Sequence, residues 1–311
     1  MSVDTYGKVY LVGAGPGNPE LLTQKALRLI QRADIVLYDR LVNPFMLQLV
    51  KPDAALIDVG KKPYHMHIQQ QDINEKLIKS AKQYECVVRL KGGDPAIFGR
   101  VHEEVVALSN LDIPFEIVPG ITSASAAAAS LGIGLTIRDI ATSVTLTAGH
   151  FKDDTSCSMD VSSLLKHGTL AIYMGVKELK RIMDKIFETT HVDYPVVVIY
   201  QTSTIKETRI SGTVTTIANK VKRKTSEVKP AIIIVGNIVA HHHIKVDATI
   251  NDSKAYLVSG PRLKAIEQAY QIYEQGHWCM INPKENMDFH ATQQQFLKQQ
   301  LTKRFDEIIH I

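Results

Sequence analysis

Cysteine and aromatic side chains are scarce in this chain. Among 311 residues only Cys86, Cys157 and Cys279 are cysteine, and no two stand in C-x-x-C spacing. That excludes a disulfide framework and a thiolate zinc centre, and it fits a reducing compartment. Aromatic residues make up 6%, so the core must rest on Val, Ile, Leu and Ala. No apolar run approaches the ~20 residues of a membrane-spanning helix. No leader pattern opens the chain either, since Asp4 and Lys8 interrupt it. A soluble, cytoplasmic protein without a membrane partner is expected. A strong charge of one sign is also missing. Lys and Arg number 36 against 32 Asp and Glu, a formal +4, and the basic residues are dispersed rather than striped. No nucleic-acid partner is implied. No internal repeat points to a solenoid.

What is present is an ordinary globular composition, 45% hydrophobic, over a length suited to two domains. The first half alternates short β-branched runs with amphipathic segments. Strands are expected at residues 8–12, 35–38, 54–59, 86–90 and 115–118. Thr23 would cap a helix burying Ala26, Leu27, Ile30 and Ala33, and a second helix would carry Ile73, Leu77, Ile78 and Ala81. A helix is also expected around Glu103 to Leu108. This is an α/β pattern with a mostly parallel sheet. Pro119-Gly120 marks the crossing into a second α/β domain with a mixed sheet. That domain opens with an Ala-rich helix from Thr122 and contains strands at 143–147, 169–174, 196–200 and 231–235, with a hairpin within Glu207 to Gly212. The expected bounds are therefore 1–118, 119–244 and a more polar extension, 245–311. In the extension, strands at 255–258 and 278–281 flank a helix at 263–273. These are too few for a doubly wound domain.

In open parallel sheets, ligands bind beyond the carboxyl ends of the strands. The distinctive residues of this sequence fall at such ends: Gly13-Ala14-Gly15-Pro16-Gly17, Tyr38-Asp39-Arg40, Gly60-Lys61, Gly92-Gly93-Asp94 and Met174-Gly175. The first loop invites a dinucleotide reading, with Asp34 or Asp39 placed to hold a ribose. However, the sixth position of that fingerprint is Asn18, and Pro16 and Pro19 remove backbone donors. A rigid strand-to-helix turn accounts for the loop equally well.

Longer motifs are more specific. Val9 to Thr23, through Gly13-Ala14-Gly15-Pro16-Gly17-Asn18-Pro19, resembles the opening signature of the tetrapyrrole methylases. Tyr38-Asp39-Arg40-Leu41-Val42 resembles the segment that marks the uroporphyrinogen-III C-methyltransferases within them. Val88 to Pro95 with Phe98-Gly99-Arg100, then Val118 to Ser123, Tyr173-Met174-Gly175 and Lys229-Pro230-Ala231, continue the similarity in order over residues 7–240. The resemblance implies two α/β domains, a homodimer, and S-adenosylmethionine held in the cleft between the domains. It implies C-methylation of uroporphyrinogen III at positions 2 and 7, giving precorrin-1 and then precorrin-2 for sirohaem or cobalamin. By the same resemblance the donor would be lined by Pro16, Gly92, Gly93, Asp94 and Ile97, and by Thr122, Ser123, Met174, Ser203 and Ala231. Asp39 would accept a proton or stabilise the developing cation, and Lys61 would donate a proton or anchor a substrate carboxylate. Arg40, Lys91, Arg100 and Arg138 are the cations available for the acetate and propionate arms of the substrate.

Ser203 stands where close relatives commonly have glycine, so its contribution would come from the backbone. His65 and His67 lack a companion ligand set apart from Asp72, and His241-His242-His243 reads as a solvated turn, so no metal is implied. Ala255-Tyr256-Leu257-Val258-Ser259-Gly260-Pro261-Arg262 is faintly similar to the start of uroporphyrinogen-III synthase. It suggests a remnant or a docking element. The competing expectations are another precorrin methylase, a methylase of ribosomal RNA or of a modified histidine, and a non-catalytic binding protein.

Overall fold

The computed structural model describes residues 6–60, 69–149, 160–225, 229–240, 253–284 and 287–311. The chain forms two compact units, Met1–Thr122 with Asp252–Ile311, and Ser123–Asn251. The first boundary falls close to the Pro119-Gly120 signal. The extension, expected as a segment of its own, joins the first unit.

In the first unit β1 (Lys8–Gly13), β2 (Ile35–Tyr38), β3 (Ala55–Asp58), β4 (Cys86–Lys91) and β5 (Phe115–Val118) form one sheet of order β3-β2-β4-β1-β5. Every pairing in it is parallel. A parallel sheet is covered on both faces, which is why these strands read as unbroken apolar runs. Val9, Leu11, Val12 and Val88 have no exposed surface. The connecting helices are α1 (Gln24–Arg32), α2 (Pro44–Gln48), α3 (Gln70–Gln83) and α4 (Val101–Ser109). The Thr23 hydroxyl accepts the Ala26 amide at 3.1 Å, the N-cap expected from sequence. Asp72 accepts the Gln69 amide at 2.9 Å, so its carboxylate caps α3.

The second unit carries β6 (Ser143–Ala148), β7 (Gly168–Tyr173), β8 (Pro195–Tyr200), β9 (Thr208–Thr213) and β10 (Ala231–Val235) in the order β6-β7-β10-β8-β9. Only β6–β7 is parallel, the mixed sheet expected. Its helices are α5 (Ser123–Leu131), α6 (Val161–Lys166), α7 (Leu179–Thr190) and α8 (Ile217–Lys224). The hairpin expected within Glu207 to Gly212 is instead the single strand β9, which pairs antiparallel with β8. The reversal therefore lies in the segment before Thr208.

The extension supplies β11 (Ala255–Gly260), α9 (Arg262–Glu274), β12 (Trp278–Pro283), α10 (Ala291–Leu301) and β13 (Glu307–His310). Its three strands form a parallel sheet of order β12-β11-β13. Leu257, Ile272, Met280, Ile281 and Phe296 share one apolar cluster with Phe45, Met46 and Leu47 of α2. This explains α2 itself, whose Phe45, Met46, Leu47 and Gln48 are all buried. A helix apolar all round must be covered all round.

One surface ion cluster sets an acid limit on stability. Glu116 on β5 accepts Lys8 at 2.9 Å and is also paired with Lys25. These two ammonium groups push its pKa down from 4.5 to about 2. A depressed carboxylate stabilises the fold above its unfolded pKa, and the gain is lost as pH falls through the folded value. The loss should therefore run from about pH 4.5 down to about 2. The site is solvent-accessible, so screening keeps the effect small. Glu116→Gln should flatten this part of the melting-temperature profile, and added salt should do the same in the parent.

Candidate active site

β1 and β4 are neighbours, with Gly13 beside Lys91, so the loops that follow them meet. The Ala14 amide donates to the Lys91 carbonyl at 2.7 Å, Gly15 to the Gly93 carbonyl at 3.1 Å, and Gly93 to the Gly15 carbonyl at 2.8 Å. Gly93 has φ +70°, and a Cβ placed there would meet no atom within 4 Å. The space over this backbone is open. The space behind it is not, because a Cβ on Gly120 would come within 2.4 Å of the Gly93 carbonyl oxygen. Gly93 thus presents bare backbone on one side and packs against the β5 loop on the other, while Gly92 lies against the Leu41 side chain, which a Cβ there would meet at 3.2 Å.

Asp94 follows at once. Its carboxylate accepts the Ala96 amide at 2.7 Å and the Gly120 amide at 3.2 Å. Asp94 therefore ties the loop after β4 to the loop after β5, and any ligand hydroxyl must share these oxygens. Pro16 is half-buried beside them, and so is Ile97.

Asp39 stands directly after β2. Its amide donates to the Leu90 carbonyl at 3.1 Å, and its carboxylate lies 2.5 Å from the Arg89 guanidinium. Arg89, 2% exposed, also reaches the carboxylate of Glu104 at 3.0 Å. Glu104 is fully buried and accepts Lys91 Nζ through both oxygens, at 2.9 and 2.8 Å. Four charges of alternating sign thus run inward from the half-exposed Asp39. Such a buried array holds together only because every member is paired.

This array corrects the expectation for Lys91. It is 3% exposed and bound by Glu104, so it is not a surface cation for substrate carboxylates. Desolvation, then the neighbouring Arg89, lowers its pKa, with Glu104 acting in the opposite direction. Its side chain alternates with that of Leu90 and points into the layer between sheet and helix α4. Arg89 and Glu104 were not expected at the site. A charged residue inside an otherwise apolar strand was the signal available, since a buried charge demands a partner.

Arg40 is exposed at the Asp39 turn. Arg100, with φ 55°, places its fork on Glu103 at 2.7 and 2.5 Å, so a substrate carboxylate would have to compete with that residue. Arg138 is exposed in the second unit. Lys61, His65, His67 and His241-His242-His243 lie outside the described residues. Among the described residues no cluster of three or more His, Cys, Asp or Glu is arranged to hold a metal.

Thr122 ends the first unit, and Ser123 opens the second as the first residue of α5. Within the second unit, β7 and β8 deliver Met174 and Ser203 to one end of the sheet. There Tyr173 pairs with Ile232 and Tyr200 with Ala231. Met174 has φ 55° and Ser203 φ 60°, conformations costly for L residues. At Ser203 this explains why glycine suits the position. The Ser203 amide donates to Glu207 at 2.7 Å.

Residues 8–218 match the family of tetrapyrrole (corrin/porphyrin) methylases. The chain is 46% identical over 235 residues to a uroporphyrinogen-III C-methyltransferase of Priestia megaterium, covering 75% of this chain and 98% of that protein. A crystal structure of uroporphyrin-III C-methyl transferase from Thermus thermophilus, complexed with S-adenyl homocysteine, aligns with a TM-score of 0.63 at 37% identity. It covers 75% of this chain and 99% of that one. A cobalt precorrin-4 methyltransferase aligns with a TM-score of 0.66 at 30% identity, covering 77% and 98%. With its parallel sheet, its mixed sheet and its motifs in order, the chain belongs to the tetrapyrrole methylase family.

Proposed function

We propose that this chain is an S-adenosylmethionine-dependent C-methyltransferase acting on uroporphyrinogen III at positions 2 and 7. The products are precorrin-1 and then precorrin-2, for sirohaem or cobalamin, made by a cytoplasmic homodimer. The observation that carries the reading is the near full-length similarity to the Priestia megaterium enzyme, joined to the open Gly93 backbone beside the paired loops. That cradle fits a donor whose polar ends need backbone partners at close approach.

S-adenosylmethionine supplies an electrophilic methyl on a good leaving group. The chain's own task is alignment and proton management. The nucleophile is an electron-rich pyrrole carbon, which gains the methyl while cationic character develops in the ring. Loss of a ring proton then restores neutrality. Asp39 is the acceptor we assign to that proton, being half-exposed and fixed from behind by Arg89. Lys61 is assigned as proton donor by resemblance. Arg40, Arg100 and Arg138 remain the cations for the substrate's carboxylate arms, Arg100 by exchange with Glu103. Pro16, Gly92, Gly93, Asp94, Ile97, Thr122, Ser123, Met174, Ser203 and Ala231 are assigned to the donor by resemblance.

Gly93→Leu should weaken S-adenosylhomocysteine binding at least about tenfold, through a strained backbone and a filled cradle. Gly132→Leu is the control. Gly132 has φ +69° and the same open space around a Cβ, so it carries similar strain and should bind normally in calorimetry.

The 30% identity to a cobalt precorrin-4 methyltransferase sustains a second reading, a later cobalamin-pathway methylation. The two separate on incubation with enzymatically generated uroporphyrinogen III and S-adenosylmethionine under reducing conditions. A product carrying two added methyl groups supports the proposal. No methyl on uroporphyrinogen III, with transfer to a later precorrin instead, favours the second reading.

A further inference from the structure

The family match ends at residue 218, well before the extension begins, yet the extension packs beside the Asp39 segment. Part of its docking surface is α2, which follows directly on Asp39 to Val42; the rest is β3 and the segment before it, where Gln293 donates to the Lys51 and Ala54 carbonyls. Polar bonds there are fully internal. Gln48 donates to the Ile281 carbonyl at 2.6 Å and accepts the Ile281 amide at 2.8 Å. Arg262 donates to the carbonyls of Gln48 and Val50, both at 2.9 Å. These bonds close the carboxyl end of α2, whose carbonyls lack helical partners.

One node reaches further. Asn43 Nδ2 donates to the Gly17 carbonyl at 2.9 Å and to the Tyr273 hydroxyl at 3.2 Å. Asn43 Oδ1 accepts the Phe45 amide at 3.0 Å and so caps α2. The Tyr273 hydroxyl donates to the Cys279 carbonyl at 2.9 Å. Asn43 Oδ1 also lies 3.3 Å from the Tyr273 hydroxyl, but the shorter bond takes the single phenolic proton to β12 and leaves the two amide protons to serve two oxygens. Tyr273 is 6% exposed, and burial raises its pKa, so the phenol keeps that proton. Asn43 thus joins three things in one side chain: the first loop at Gly17, the helix after the Asp39 turn, and the extension.

We infer that Tyr273 and Asn43 are positioning residues through which the extension fixes the first loop and the Asp39 turn, and so sets affinity for the methyl donor. The effect on affinity rests on the reading that the first loop belongs to the donor site. The coupling between the extension and the loop does not.

The test uses the full chain with Tyr273→Phe, Asn43→Ala, their double variant, and Arg262→Met as a control that loosens the same docking surface away from the node. Two readouts are taken: amide hydrogen exchange over residues 14–18 and 40–43, and the Kd for S-adenosylhomocysteine. Tyr273→Phe should speed exchange in both segments and raise Kd by about five- to tenfold, the scale of one buried hydrogen bond. The KM for the donor should rise in parallel while kcat changes by less than about twofold. The double variant should be no worse than Asn43→Ala, since both act through one node. Arg262→Met should lower the melting temperature and leave Kd unchanged. Wild-type exchange and Kd in Tyr273→Phe would overturn the inference. So would simple additivity in the double variant, or an equal loss of affinity in Arg262→Met. Faster exchange with unchanged Kd would sink the donor assignment of the first loop while upholding the coupling.

Discussion

Asp39→Asn should lower kcat by about two to four orders of magnitude, the range of a lost general base, and leave the Kd for S-adenosylhomocysteine within about twofold. The two side chains have the same shape, and the Asn oxygen still accepts from Arg89, which reaches Asp39 at 2.5 Å. The turn is therefore preserved while the proton acceptor is removed. The loops after β1 and β4, both assigned to the donor, make mutual hydrogen bonds that do not involve the Asp39 side chain. Equal losses in turnover and donor binding would show that Asp39 is structural.

Glu104→Ala should cost about 3–5 kcal/mol, the range for removing one partner of a buried charge array. Glu104 is fully buried and answers both Arg89 and Lys91. Without it two cations remain in the interior with only Asp39, itself half-exposed, near Arg89. The double variant Glu104→Leu with Lys91→Met should recover most of the loss, since Arg89 keeps Asp39 and the interior regains apolar contact. The single variant should also carry a pH signature. Burial already lowers the Lys91 pKa from 10.5, and removing Glu104 lowers it further. The unfolded chain then binds more protons than the folded one between the two pKa values, so stability rises with pH through that window. Urea midpoints of Glu104→Ala should increase as pH approaches the ordinary lysine value of 10.5, and those of the double variant should not.

The parallel strands and their glycine-rich ends were legible because burial on both faces writes itself as short apolar runs, and because a backbone that must bend sharply selects glycine. The loops after β1 and β4 could be named from sequence; their mutual hydrogen bonds could not. Lys91 departs from its expected exposure for a physical reason. Beside Gly92-Gly93 it looks like a loop cation, but it is the last residue of β4, where the pleat sends it inward. Its partner Glu104 sits on α4 and faces it only through the fold. Nothing local marks that pairing. The five-residue α2 is too short and too uniformly apolar to show a helical period, and its cover comes from residues more than 200 positions away, as with Gln48 and Ile281. β13 was equally hidden, a four-residue edge strand with exposed residues at both ends. Ser203 has φ 60°, a conformation that glycine adopts without strain, and nothing local in the sequence marks it.

The most direct check is a crystal structure of the protein with S-adenosylhomocysteine. The ligand should lie over the bare backbone of Gly93 with Pro16 and Asp94 beside it, and Asp39 should still hold Arg89. Density for the ligand at some other place, or a nicotinamide bound in its stead along the first loop, would contradict the assignment of these loops to a methyl donor.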